Sequence, residues 1–466
     1  MNRDHLKNKN TKSETFSGWG RTAPSKSVRC GYGNHDDAAS IVRALASGGS
    51  SSRGAIARGL GRAYGSAAQN AGGAVLIHED TGAPFINETQ VHLDSNTGVV
   101  RLDASVSLDA LMRFSVPRGW FVPVTPGTRF VTVGGAIASD IHGKNHHRDG
   151  SIGSHIVSMD LLLADGSTRS VSPTEGSELF WATVGGMGLT GVILSASMKL
   201  ISISSSSMQV ETERAHNLGS LTESMRNRDN EFRYSVAWID MLSTGDALGR
   251  GILMRGDHAD ADTRGSAPLD AYSAKTRLVA PPVPNGLLNK YTVKAFNEAW
   301  FRKAPRTAHT GIESIPQFFH PLDAVKSWNR LYGPNGFIQY QFVIPIEAEA
   351  TLRAIVERFA KSGVASFLAV LKLFGEGNQA PLSFPEPGWT LALDLPAHRS
   401  LPTFLTEIDA MVIDAGGRHY LAKDSHITRD IFEAGYPRLA EWKRTKAEVD
   451  PQNLWVSDLG RRLGLC

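Results

Sequence analysis

Cysteine is almost missing from this 466-residue chain: Cys30 and Cys466 are the whole complement and stand near opposite ends. A disulfide framework and a cysteine-built metal site are excluded on that count. Charge of either sign is not in excess, with 49 Lys and Arg against 46 Asp and Glu for a formal +3. No nucleic-acid footprint is expected from such a balance. No apolar run approaches the roughly 18 residues of a bilayer span. The opening Met1 to Glu14 is polar and lacks the apolar centre of an ordinary secretory signal. Internal repeats, long low-complexity tracts, a P-loop, an acyl-transfer triad signature and a carboxylate-rich metal site are also lacking. What is left is a chain long enough for two or three domains, or one large two-domain enzyme, with a substantial core.

Glycine, by contrast, is concentrated where it can do chemistry. Arg53 to Gly73 reads Arg-Gly-Ala-Ile-Ala-Arg-Gly-Leu-Gly-Arg-Ala-Tyr-Gly-Ser-Ala-Ala-Gln-Asn-Ala-Gly-Gly. Gly59, Gly61 and Gly65 take Cβ atoms out of a short loop, so backbone N–H groups can approach an anion, and Arg58 and Arg62 add positive charge. That is the make-up of a diphosphate cradle. A surface turn ahead of the strand Ala74 to Ile77 explains the same loop taken alone. A second stretch, Pro126 to His147, again offers small residues, paired glycines (Gly134, Gly135) and hydroxyls (Thr128, Thr132), then His142 and Lys144. Two such loops suggest one extended ligand gripped from both sides. His142, His146 and His147 lack a nearby Cys or a clear carboxylate partner, so no metal is expected there.

Along the chain, residues 1–15 read as a disordered arm. Asp36 to Ala46 spaces Ala39, Ile41, Val42 and Leu45 as a helix, Ser107 caps another that Pro117 stops, and Ile156 to Ala164 is strand-like. Gly186 to Gly191 matches the dinucleotide G-x-G-x-x-G fingerprint by letter. The order helix, glycines, strand is the reverse of what that fingerprint needs, so these glycines are expected to turn the chain. Residues from about 255 to 300, with Pro281-Pro-Val-Pro-Asn-Gly286, read as a long connection of the kind that serves as a lid or a partner surface or is disordered. Later strands sort by parity. Gln339 and Gln341 share one face of Ile338 to Ile344, Lys372 and Phe374 share one face of the next, and Thr390, Ala392 and Asp394 oppose three leucines. Helices near Ala348 to Lys361 and Pro402 to Ala415 would cover the leucine face and leave the other for a ligand.

Together the two loops resemble those of the vanillyl-alcohol-oxidase (para-cresol methylhydroxylase, PCMH) type flavoproteins. More narrowly, Gly54-Ala-Ile-Ala-Arg-Gly-Leu-Gly-Arg, Asp140-Ile-His-Gly-Lys-Asn-His-His, Gln339-Tyr-Gln-Phe-Val-Ile-Pro, Lys372-Leu-Phe-Gly and Ala422-Lys-Asp are similar to the decaprenylphosphoryl-β-D-ribose 2-oxidase family. The resemblance runs from about Trp19 to Leu463. It implies an α+β, two-domain fold: an FAD-binding domain of two small α/β subdomains, and a substrate domain whose antiparallel sheet is covered by helices. The boundaries expected are 16–202 for the FAD-binding part, 203–417 for the substrate domain with a mobile loop at about 255–300, and 418–466 returning to the FAD-binding domain.

The same resemblance implies oxidation of a polyprenyl-phosphate pentose, the ribose 2-hydroxyl becoming a ketone. A separate NADH-dependent keto-reductase would complete an epimerisation that feeds cell-wall arabinan. It implies FAD held by Ala57, Arg58, Gly59, Leu60, Gly61, Arg62, Ala63, Tyr64, Gly65, Ser66 and Ala67 of the first loop. Gly127, Thr132, Val133, Gly134, Gly135, Ser139, Asp140, Ile141 and His142 of the second loop would join them, with Ile193 and Tyr420. Tyr64 stands where relatives with covalent flavin place a histidine, so the FAD is expected without a covalent link. Lys144, Trp238, Gln339, Gln341, Lys372, Phe374 and Lys423 are implied on the substrate side, with Lys423, His142 and Tyr64 as the catalytic groups. The bland alternative for Lys423 is a surface lysine paired with Asp424. Peripheral membrane contact is compatible with a lipid substrate. Location on the cell-envelope side is implied, with the cytoplasm as alternative. The chain departs from the family pattern at Val236, Phe319, Thr390 and Ala392, each a loss or change of a polar group on the expected substrate side. A shifted substrate, or an aldonolactone or alditol type of sugar oxidase acting on a soluble polyol, is therefore the competing expectation, and a flavin-binding scaffold without catalysis a third. Since Ala392 replaces a thiol, nitroaromatic inhibitors that capture that cysteine should not attach.

Overall fold

The computed structural model describes residues 11–48, 53–86 and 90–466. Residues 1–10, most of the expected arm, lie outside the described residues. The rest of that arm corrects the expectation, because Thr11–Phe16 is a strand paired antiparallel with Ser25–Tyr32 from Thr11↔Cys30 to Phe16↔Ser25. Phe16 anchors it by entering the apolar cluster of Ile56 and Val75, while Lys12, Ser13 and Glu14 stay exposed.

Three sheets carry the architecture. The first has four strands, in the order Thr11–Phe16, Ser25–Tyr32, Ala74–His78, Ala55–Ala57, and the last two pairings are parallel. The helix His35–Ala46 supplies part of the crossover, its N-terminus capped by the Asn34 side chain accepting from the Asp37 N–H at 2.9 Å. The second sheet is antiparallel with five strands, in the order Val91–Asp94, Val99–Asp103, Val192–Lys199, Ile156–Leu162, Thr168–Val171. Gly186 to Gly191 joins the helix Ser177–Thr183 to the strand Val192–Lys199, with Gly188 at φ 77° and Gly191 at φ 155°. The glycines reverse the chain, as their order after a helix requires.

The third sheet has eight antiparallel strands, in the order His309–Ser314, Ser207–Ala215, Gly251–His258, Tyr234–Ile239, Ala369–Phe374, Gly388–Pro396, Phe337–Ile344, Arg418–His419. Helices Glu349–Ser362 and Leu401–Asp414 cover one face: Leu352, Ile355, Phe359, Leu405 and Ile408 share a core with Leu371, Leu391, Leu393 and Leu395. Two details of the structure lie across the expected boundaries. Arg418–His419 still pairs with Phe342 and Val343, so the sheet runs past residue 417. The strand Gly251–His258 and the helix Lys290–Lys303 both enter the 255–300 connection, because each buries apolar side chains that its polar surroundings concealed.

Beyond the sheet the chain returns to the first module. The Ala55 N–H donates to the Leu454 carbonyl at 2.7 Å and the Val456 N–H to the Ala55 carbonyl at 2.8 Å. Among the described residues no helix is long and apolar enough to cross a membrane.

Candidate functional site

A cavity of about 290 Å3 is lined by three banks of residues: both glycine loops and the polar face of the third sheet. In the first bank, Gly59 lies so close to the second loop that a Cβ there would stand 2.3 Å from Thr132 Oγ1. Gly61 has φ +64°, a left-handed backbone that suits glycine. The two loops therefore meet at Gly59 only because its side chain is missing. Thr132 caps a short helix, Val133–Ala138, which the sequence reading missed, its Oγ1 accepting from the Gly135 N–H at 3.1 Å.

The two arginines of the first loop do different jobs. Arg58 is a brace, donating to the Ala68 carbonyl at 2.9 Å and the Ser17 carbonyl at 2.7 Å. Arg62 lies over the Trp19 ring at 3.8 Å, and its buried Nε has no partner.

On the sheet, cross-strand partners place Gln341, Ala392, Val370 and Trp238 in one row, and Lys372 beside Thr390 in the next. Gln341 Nε2 donates to Thr390 Oγ1 at 3.1 Å and to His142 Nε2 at 3.0 Å, which ties the second loop to the sheet. Nδ1 of the same ring is buried without a partner. Burial, then the charges of Lys372, His146 and Lys423, push the His142 pKa well below the usual imidazole range, so it is neutral. Gln339 donates to the fully buried Asp394, which also accepts from Tyr332 at 3.4 Å. Burial raises the Asp394 carboxyl to about 7, against the pull of Gln339 and Lys423.

The closing segment comes from far along the chain. The Tyr64 N–H donates to the Ala422 carbonyl at 2.9 Å, the Tyr420 N–H to the Gln341 carbonyl at 3.0 Å, and the Tyr420 hydroxyl to the Ser139 carbonyl at 2.8 Å. Those bonds hold Lys423 with its ammonium 4.1 Å from the centre of the buried Tyr64 ring. Burial lowers the Lys423 pKa to about 8, while Asp394 opposes the fall. Burial, then Lys423 and Lys144, lower Lys372 to about 7. The surface pairing of Lys423 with Asp424 does not form: Asp424 accepts from Arg462 and from the His426 N–H at 2.7 Å.

Several expected site residues stand off the wall. Asp140 is buried behind the second loop, accepting from Ser151 at 2.8 Å, the Gly153 N–H at 2.9 Å, Asn378 at 2.8 Å and Ser383 at 2.6 Å, so it locks the loop instead of facing a ligand. Val133 belongs to the core, Gly65 packs against the Asp424 carbonyl, and the Ser66 carbonyl accepts from the Leu459 N–H at 3.4 Å. Trp238 lies one strand beyond Val370 and is covered by Phe301, with Val236 on the same face. Lys144 donates to the Phe318 carbonyl, and Phe374 packs behind His142 at 4.8 Å and His146 at 4.3 Å. Phe319 is core, against Phe121 at 5.2 Å. Trp19, Leu322, Trp328 and Ala422 line the cavity and were missed. Nothing local marks them, whereas the parity that exposed Gln339 also marked Asp394.

Two glycine loops and a cationic, amide-bearing sheet face around one cavity define an FAD-binding oxidoreductase, and the FAD binding domain family matches residues 33–172. The chain is 45% identical to the decaprenylphosphoryl-beta-D-ribose oxidase of Mycolicibacterium smegmatis, over 98% of both chains. It is 37% identical to an uncharacterized protein in the mprA 5′ region of Streptomyces coelicolor, covering 77% of this chain and all of that one. A human delta(24)-sterol reductase shares 29% identity over 24% of this chain and 22% of its own. This chain belongs to the decaprenylphosphoryl-β-D-ribose oxidase family.

Proposed function

We propose that the protein oxidises the ribose 2-hydroxyl of decaprenylphosphoryl-β-D-ribose to the ketone, using FAD. The observation that carries this reading is the pair Lys372 and Lys423 on the cavity wall with Gln339 and Gln341, facing both glycine loops. The unpartnered Arg62 Nε and His142 Nδ1, and the Cβ-free meeting of Gly59 with Thr132, suit a bound dinucleotide. When bound, FAD supplies the acceptor for the hydride of the carbinol carbon.

The chain's own residues do the rest. Lys423, neutral over the upper half of its titration, takes the hydroxyl proton, which leaves the ketone as product. Gln339 and Gln341 orient the sugar, Gln339 with its amide fixed by Asp394. Lys372 meets the substrate phosphate as a point charge. Tyr64, packed edge-on to Phe337 at 5.5 Å, closes the floor beneath Lys423. The FAD is held without a covalent link, so denaturation should release all yellow colour from the polypeptide.

The ketone product requires a separate reductase, NADH-dependent by family resemblance, that returns hydride on the opposite face. We infer from a lipid-phosphate sugar substrate that the protein acts at a membrane surface, on the cell-envelope side by family resemblance, with the cytoplasm as the alternative. The deciding experiment is an anaerobic spectrum of the holoprotein mixed with decaprenylphosphoryl ribose. Bleaching of the flavin is expected; an unchanged spectrum, with bleaching by free alditols or aldonolactones instead, would overturn the reading.

A further inference from the structure

Nine large hydrophobic side chains are exposed among the described residues, and six of them fall in one stretch: Leu278, Val279, Leu287, Tyr291, Phe296 and Trp300. Tyr291 is 73% exposed and Leu278 65%. Scattered exposed apolar residues need no explanation, but clustering of this kind marks an interaction surface. Charge is clustered in the same place. Residues 275–306 hold seven Lys and Arg against one acidic residue, Glu298, a surplus of six in a chain whose total is +3. Glu298 is itself held by Arg250 at 2.6 Å and Arg302 at 2.5 Å, so no free acid offsets the surplus.

The helix Lys290–Lys303 shows how the surface is built. Val293, Asn297 and Phe301 form its inward stripe: Phe301 packs on Trp238 and Ile252, and Asn297 donates to Asp240 at 2.7 Å. Its exposed residues alternate aromatics with lysines. Lys290 Nζ lies 5.0 Å from the Tyr291 ring and Lys303 Nζ 5.4 Å from the Trp300 ring, and Phe296 and Trp300 stack at 9°. Amphipathic rings beside long cationic side chains suit the boundary between headgroups and acyl chains.

This surface adjoins the cavity rim. Leu278–Val279 pairs in parallel with Val325–Lys326, which sits in sequence between the wall residues Leu322 and Trp328. Leu288 packs into the cluster of Trp328 and Tyr64. We propose that residues 278–303 form a docking surface for an anionic lipid bilayer, which brings the cavity mouth to the membrane. Its purpose, delivery of a polyprenyl-phosphate sugar, rests on the function proposed above, but the binding itself does not.

The test is flotation of the holoprotein with phosphatidylcholine vesicles, with and without about 30% phosphatidylglycerol. Association with the anionic vesicles, falling with salt, is expected. Lys290→Gln, Lys294→Gln and Lys303→Gln together should lower the partition about a hundredfold at low salt, roughly fivefold per charge. Tyr291→Ser with Trp300→Ser should remove the part that survives salt. Flavin content and reduction by a soluble short-chain substrate should stay unchanged in every variant, so loss of docking and loss of catalysis are read separately. Equal binding of the wild type to both vesicle types, or binding that no variant changes, overturns the proposal. So does failure to bind vesicles while a purified keto-reductase is retained through these same residues.

Discussion

The two faces of the eight-stranded sheet are built from alternate residues of the same strands, yet they obey opposite rules. On one face, Leu371, Leu391, Leu393 and Leu395 pack under two helices with no exposed surface at all. On the other, Gln339, Gln341, Thr390 and Asp394 are enclosed almost as fully and Lys372 is half-buried beside them, and burial shifts the protonation of Lys372 and Asp394. Burial of apolar carbon stabilises the fold. Burial of charge costs free energy unless it is compensated, and perturbed groups of this kind collect where chemistry is done. One strand therefore carries scaffold and site together, one residue apart.

The sharpest way to break the comparison is at Lys423. Lys423→Met should lower anaerobic flavin reduction by about 10^3-fold, within the range for loss of a general base, with FAD still bound and thermal stability little changed. Turnover near the wild-type rate would remove Lys423 from the chemistry. On the opposite face the effect should reverse. Leu393→Ala should cost about 2–5 kcal/mol in urea unfolding, with the reduction rate of the folded holoprotein held within a few-fold.

Asp394 joins the two rules, being a buried acid that holds an amide. With Lys423 lowered to about 8, flavin reduction should rise as pH passes that value and the ammonium gives up its proton. The Asp394 carboxylate opposes the lowering, so Asp394→Asn should move the midpoint of that rise to lower pH. A rate that falls at every pH by one factor would show a merely structural role. The smallest change is expected at Ala392, on the cavity wall beside Gln341. Ala392→Cys should alter stability by less than about 1.5 kcal/mol. It should also gain a covalent adduct, by intact mass, with a thiol-capturing nitroaromatic that leaves the wild type unmodified.

Much of this was legible in the sequence because it is local. The glycines of the two loops, the parity of the Gln339, Lys372 and Thr390 strands, and the reversed order of helix and strand around Gly186 are set within a few residues. Trp238 shows where local reading stops. Expected on the substrate side from resemblance alone, it sits one strand beyond Val370 of the cavity wall, under Phe301. Asp140 fails for a similar reason, since Asn378 and Ser383 claim it from more than 200 positions away.

The sequence by itself determined the two cradles and which side of each late strand is polar, since turn geometry and the two-residue period of a strand are properties of neighbouring residues. Only the tertiary structure decided that residues 420–424 would be stitched between the Tyr64 loop and the Gln341 strand. That placement turns Lys423 from a surface lysine into a half-buried amine with a lowered pKa, because a pKa depends on what surrounds the group in space, and strands paired across hundreds of residues supply those surroundings.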